Sequence, residues 1–273
     1  WVQRRDMPFL ARRCGAKIAY ETKGSGFPVL LIAPGGMTSC LANWAGQPFD
    51  PWTQLSTSKF RLIAMDQRNG GHSTGPLRPS EGWRTMLEDQ LALLDHLGIE
   101  RCHTVGSCIG PSYQLQLMRE QPHRFTAAVL MQPIGLAHHT TEPGQPWQGR
   151  NTAATRHWFG SWAQELARQG RAEESELRTL SDAMFGKRDF VFSVLRDDVL
   201  GLSTPMQVLM GKDIFHPSQI SRELASLAPN TELIESWRDD AAQAAAAAVR
   251  IDAFLTKHTP TSTGACESSG TST

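Results

Sequence analysis

Thr104-Val105-Gly106-Ser107-Cys108-Ile109-Gly110-Pro111-Ser112 is the stretch that decides how this 273-residue chain is read. Residues 102–105 have the make-up of a short buried strand, and residues 113–120 that of a helix. A strand that turns at once into a helix forces the residue at the bend into a strained backbone conformation, and only glycine leaves room on either side of it. Gly106 and Gly110 supply that room, so Cys108 is expected at the bend. There it would precede a helix N-terminus, whose N–H groups and dipole favour a thiolate. Pro111 fits the first helical turn, where a missing N–H costs nothing. The competing reading makes Cys108 one more small core residue, as free cysteines often are.

Working outward, residues 27–33 and 60–65 are continuous apolar runs of the kind buried on both faces of a parallel sheet. The first ends at Pro34-Gly35-Gly36-Met37, the second at Asp66-Gln67-Arg68-Asn69-Gly70-Gly71-His72-Ser73. Residues 8–13 and 16–22 read as a strand pair turning at Cys14-Gly15. Trp83, Met86, Leu87, Leu91 and Leu94 recur at three- and four-residue steps, predicting a helix over 83–97 stopped by Gly98. Further strands are expected at 127–131, 206–210 and 232–234, and helices at 221–227 and 241–255. Alternating strands and helices predict one α/β domain with a mostly parallel sheet covered on both faces. Residues 137–203 break the alternation with amphipathic segments and no convincing strand, which predicts a helical cap over the ligand end of the sheet. The core is then 1–136 with 204–256. The Ser-, Thr- and Gly-rich tail, 257–273, is expected to be disordered. Within the cap, Trp147, Trp158, Phe159 and Trp162 either line an apolar pocket or fasten the cap to the core.

Composition narrows the function classes. The chain is 40% hydrophobic and 20% charged, with zero net charge, so nothing favours nucleic acid or an anionic membrane surface. No apolar run is long enough to span a bilayer, and the charged N-terminal stretch is not expected to be a secretory leader. Five widely spaced cysteines without a C-x-x-C pair favour reduced thiols and a cytoplasmic location over disulfides. No His/Cys/Asp group has ligand spacing, and no G-x-G-x-x-G follows a strand. Neither a metal nor another cofactor is expected, and the expected partner is a small-molecule substrate.

Four motifs in this order resemble the α/β-hydrolase fold superfamily over residues 8–256. Pro34-Gly35-Gly36 is similar to its His-Gly-Gly-type loop, with Ala33 where histidine often stands. Residues 66–73 resemble its Asp-x-Arg-Gly-x-Gly-x-Ser loop. Gly106-Ser107-Cys108-Ile109-Gly110 resembles its nucleophile elbow, and Gly211-Lys212-Asp213 its acid-bearing turn. The resemblance implies Cys108 as nucleophile, the N–H groups of Gly36, Met37 and Ile109 as an oxyanion hole, and Asp213 as the acid that orients a histidine. A turn-capping carboxylate is the alternative for Asp213.

The family's histidine, on a loop after the last strand, has no counterpart: none occurs between His216 and His258. His216, three residues beyond Asp213, is the first candidate, although a His-Pro pair can equally cap the next helix. His138 and His139 follow the strand after the elbow and are expected at the substrate pocket with Trp158 and Trp162. His72 and His157 rank lower. His96, His103 and His123 read as surface or capping residues. A thiol needs a base less than a hydroxyl does. The expected activity is therefore hydrolysis or acyl transfer on an activated ester, thioester or lactone of a small apolar carbonyl compound. The alternative, favoured by the missing histidine, is a non-hydrolytic member of the fold: a lyase, decarboxylase, cyclase or ligand-binding protein.

Overall fold

A computed structural model describes residues 7–136, 155–186 and 190–261, with the side chains of 155–157 excepted. His138, His139 and Trp147, the His157 side chain and the last twelve residues of the expected tail lie outside the described residues.

Eight strands form one sheet in the order β1-β2-β4-β3-β5-β6-β7-β8. β1 (Phe9–Ala11) and β2 (Lys17–Lys23) form a hairpin, and β2 lies antiparallel to β4 (Phe60–Met65). The other neighbours are parallel: β3 (Phe27–Ile32), β5 (Cys102–Ser107), β6 (Phe125–Met131), β7 (Met206–Leu209) and β8 (Thr231–Ile234). The apolar runs are continuous because alternate residues enter different cores. Leu30 and Ile32 pack on one face with Ile63, Met65 and Leu130. Val29, Leu31 and Ala33 pack on the other with Leu62, Ala64 and Val105.

After the single turn α1 (Pro51–Gln54), α2 (Trp83–His96) and α3 (Gly110–Glu120) cover the first face. Between β6 and β7 the described residues hold a π-helical turn (Thr155–Gly160), α4 (Ser161–Arg168), α5 (Glu174–Phe185) and α6 (Arg196–Leu200). This helical insertion joins the core of the first face, as does α7 (Ser218–Leu227). The long α8 (Ala241–Lys257) covers the second face through Ala247, Ile251 and Leu255.

Chain order reverses at β3, with β4 on one side and β5 on the other. Crevices at such a point, outside the carboxyl ends of the strands, are where open α/β sheets bind ligands. The loops after β3, β5, β7 and β8 all emerge from those ends.

Two expectations change. His103 is not at the surface: β5 is flanked by β3 and β6, and the His103 ring is buried between Thr126 Oγ1 (2.7 Å) and Thr259 Oγ1 (2.9 Å). Burial lowers its pKa to about 4. The same contact corrects the start of the tail, because α8 runs through Lys257 and Thr259 remains tied to His103.

The loop after β4 is structural. Asp66 accepts the N–H groups of Leu41 (2.9 Å) and His72 (2.8 Å). Arg68 makes a forked pair with Asp89 of α2, both bonds 2.7 Å, with side chains 1% and 0% exposed. Removing one partner of such a buried pair leaves the other charge uncompensated. Asp89→Ala is therefore expected to lose about 3–5 kcal/mol in urea unfolding; a loss below about 1 kcal/mol would show that the pair does not hold the loop.

Candidate active site

Cys108 has φ 61°, in the left-handed region that non-glycine residues adopt at a cost of order 1–3 kcal/mol. Packing explains the glycines around it. A Cβ on Gly106 would stand 2.5 Å from Gln114 Oε1, and one on Gly110 2.8 Å from the Ile32 carbonyl oxygen. The bend is therefore wedged between β3 and α3. The Cys108 N–H donates to the Met131 carbonyl (3.0 Å) and its carbonyl accepts from Ile134 (3.2 Å), which fixes both sides of the residue. Its side chain, 6% exposed, precedes the first turn of α3.

Three backbone donors lie at the ends of the two central strands. Gly35 and Gly36 have φ of 116° and 58°, so the loop after β3 needs glycine at both positions. Among the described residues, the N–H groups of Gly36, Met37 and Ile109 donate to no protein acceptor. Trp158 covers this loop: a Cβ on Gly36 would lie 2.6 Å from Trp158 Cβ.

The turn after β7 brings Asp213 and His216 together. Asp213 Oδ1 accepts the N–H groups of Phe215 and His216, both at 2.9 Å, and its two oxygens receive His216 Nδ1 at 2.8 and 2.9 Å. A Cβ on Gly211 would collide with the His216 carbonyl oxygen, so the turn folds back this tightly only with glycine there. The capping role considered for Asp213 and the pairing with His216 are thus one structure.

The His216 side chain is 12% exposed. Its Nε2 is buried without a hydrogen-bond partner among the described residues, and the Cys108 thiol lies within interaction range of the ring. Burial opposes charge on this ring. The hydrogen bond to Asp213, the contact with Cys108 and the negative charge of both outweigh it and raise the pKa to about 9. Asp213, in turn, is held well below the usual carboxylate range: burial works against this, and the His216 bonds and the N–H groups of its turn overcome it.

Aromatic rings surround this point. Trp158 lies 5.7 Å from Phe215, 6.3 Å from Phe185 and 6.4 Å from Phe192, ring centre to ring centre. Tyr113, buried and 5.1 Å from Trp83, has a hydroxyl without a hydrogen-bond partner among the described residues. Burial first, and the nearby Cys108 second, push its pKa up. Trp162 is engaged elsewhere: its Nε1 donates to the Asn69 carbonyl (2.8 Å), which fastens α4 to the loop after β4. His72 is also remote in role, bonded through Nδ1 to Asp66 (3.2 Å).

Some neighbours were not singled out in the sequence. Phe190 and Phe192 adopt φ of 57° and 68°, and their segment is pinned to α3 by Ser112 Oγ to the Val191 carbonyl (2.8 Å) and Ser193 Oγ to the Ser112 carbonyl (2.6 Å). Nothing in a pair of phenylalanines signals a left-handed backbone. Arg238 and Gln132 were also missed; the signal available for Arg238 was its position on the loop where the resemblance asks for histidine. Among the described residues no cluster of three His, Cys, Asp or Glu side chains is placed to hold a metal ion, and no helix is long and apolar enough to cross a membrane.

Comparison with known proteins bears on the fold and the family. A Variovorax paradoxus (strain S110) protein assigned as the carbamate hydrolase RutD is 30% identical over 112 residues, 41% of either chain. A RutD from Caulobacter vibrioides is 30% identical over 115 residues, 41% of this chain and 40% of that protein. The chain thus spans about two fifths of the length of the curated relatives it matches. Among solved structures, a meta-cleavage product hydrolase from Pseudomonas fluorescens IP01 superposes with a TM-score of 0.63 at 21% identity, covering 92% of this chain and 96% of that one. The enol-lactonase from Burkholderia xenovorans LB400 gives 0.63 at 20% identity, covering 91% and 100%. At these identities the likeness is one of fold. The family model for the alpha/beta hydrolase fold matches residues 28–200, more than half of the sequence, and the chain belongs to that family.

Proposed function

We propose that this protein is a cysteine-dependent hydrolase acting on an activated ester, thioester or lactone of a small apolar acid. The observation that carries the reading is the meeting of Cys108 and the Asp213-bound His216 across the carboxyl ends of β5 and β7. The absent histidine after β8 had favoured a non-hydrolytic protein. His216, carried on another loop and bonded to Asp213, supports the hydrolytic reading over that alternative.

In this reading the Cys108 thiolate attacks the carbonyl carbon. Negative charge moves to the carbonyl oxygen, where the N–H groups of Met37 and Ile109, with Gly36 beside them, receive it. The tetrahedral adduct collapses, the C–O or C–S bond to the leaving group breaks, and the proton on His216 Nε2 passes to the leaving atom. An acyl-thioenzyme remains on Cys108.

Acylation itself prepares the second half. Two of the influences that raise the His216 pKa come from Cys108, and both are lost once its sulfur carries an acyl group. The imidazole then gives up its proton more readily and can take one from water. Hydroxide attacks the thioester carbon, the C–S bond breaks, the acid leaves and the thiolate is restored. The described helices between β6 and β7, from the π-helical turn to α6, act as a cap. Trp158, Phe185 and Phe192 give that cap an apolar underside, which Phe215 meets from the turn after β7; this suits a small apolar acyl group and keeps bulk water from the thioester. Trp162 serves the cap as a fastener rather than as a wall.

A panel of p-nitrophenyl esters tests the reading. Cys108→Ala is expected to lower turnover by about 10³-fold or more, and full turnover in that variant would contradict it. The charge on His216 also has a signature in stability. Its folded-state pKa is raised from an ordinary 6.5 to about 9, so the stabilisation is complete below pH 6.5 and lost as pH rises through 9. Thermal melts of the free enzyme should fall across pH 6.5–9, and His216→Ala should flatten that slope. An unchanged slope would mean that His216 is not the group responsible.

A further inference from the structure

The loop after β8, where the family resemblance expects a histidine, carries Arg238 instead. Trp237 is buried at its base, with Nε1 donating to the Met210 carbonyl (3.0 Å), and this anchors the loop against the end of β7. From there the Arg238 guanidinium reaches two acceptors. Nη1 donates to Gln132 Oε1, and Nη2 lies 3.4 Å from Asp213 Oδ2. Gln132 follows β6 with φ 41°, held there by its N–H to the Leu209 carbonyl (2.8 Å). Its side-chain Nε2 donates to Ser107 Oγ (3.3 Å), on the residue before Cys108.

These bonds form a chain across the ends of four adjacent strands: Ser107 on β5, Gln132 after β6, Asp213 after β7 and Arg238 after β8. His216, bonded to Asp213 and within range of Cys108, closes it into a ring. Each part follows from donor and acceptor chemistry. Gln132 offers one acceptor and one donor face and uses both. Asp213 Oδ1 is already committed to the N–H groups of its own turn and to His216. Its Oδ2 is the oxygen divided between the imidazole and the guanidinium.

We propose that Arg238 is a positioning residue that ties the Asp213 carboxylate to the elbow through Gln132 and Ser107 and competes with His216 for that carboxylate. The proposal rests on the reading of Cys108 and His216 given above. Its consequence has a definite sign. Guanidinium is permanently charged, so it opposes a second cation on the neighbouring imidazole and shares the carboxylate that would stabilise it. Arg238 therefore keeps part of His216 in the neutral form needed to deprotonate water. Lys212 pairs with Asp239 (2.6 Å), whose carboxylate also attracts Arg238, and Arg222 pairs with Glu235. Cys108 faces the ring from the elbow and Asp213 from its own turn.

The test compares full-length wild type, Arg238→Gln and Arg238→Lys. His216 is titrated by NMR with labelled histidine, its signal assigned through His216→Gln, and kcat for p-nitrophenyl acetate hydrolysis is followed against pH. Arg238→Gln should raise the His216 midpoint by about 0.5–1 pH unit, which corresponds to about a 3- to 10-fold lower kcat near neutral pH, with KM within about twofold. Arg238→Lys, which keeps the cation and loses the fork, should return the midpoint towards wild type. If the Arg238→Gln midpoint stays within about 0.2 unit of wild type while the fold is retained, the proposal is overturned. The two readings fail separately. Full turnover by Cys108→Ala removes the catalytic assignment, whereas the titration of His216 reports on Arg238 whether or not ester is hydrolysed.

Discussion

The Asp213 carboxylate is gripped from within its own turn. Two backbone N–H groups and the His216 Nδ1 converge on it across three residues, and Gly211 leaves the space that lets the chain fold back so tightly. That local knot has a long-range result. It delivers an oriented imidazole to the carboxyl end of β7, two strands from the end of β5 where Cys108 waits. In the proposed mechanism this imidazole is the group that moves the proton at the elbow.

Placing acid and histidine on one turn frees the loop after β8, and the structure uses that loop differently. Trp237 plugs it into the core and Arg238 reaches over the strand ends to Gln132 and Asp213. On the proposed reading, acid and histidine come from one turn rather than from two loops, while thiol, imidazole and carboxylate keep the roles that the family resemblance implies. Such a constellation is recognised by its geometry and roles rather than by order along the chain. A thiol also tolerates the change better than a hydroxyl, since it ionises more easily and makes a smaller demand on its base.

How much of this was legible in the sequence follows from how local each feature is. The apolar runs at β3 and β4, the spacing in α2 and the Gly-x-Cys-x-Gly bend are set by neighbouring residues, and each was readable. Asp213 and His216 lie three residues apart, so their pairing could be suspected; whether the ring meets Cys108 depends on the order of strands and could not be derived from spacing. His103 was misplaced because its burial comes from β3, β6 and the end of α8, all distant in sequence. Trp158 and Trp162, four residues apart on one segment, divide into a cover for the Gly36 loop and a fastener for Asn69. Periodicity places them together, and only the packed helices separate them. The left-handed Phe192 has no local signature, and Arg238 is marked only by standing on the loop where the resemblance asks for histidine.

The claim on which the account turns is that His216, and no other histidine, serves the sulfur of Cys108. Intact-protein mass spectrometry of His216→Ala mixed with p-nitrophenyl acetate tests it most directly, with peptide mapping to locate the label. An activated ester can acylate a thiol without a base, whereas water needs one to attack the thioester. The account predicts a single acetyl group that persists on Cys108 in the variant and is shed during turnover by the wild type. Shedding at the wild-type rate, or an acetyl group on any residue other than Cys108, would contradict it.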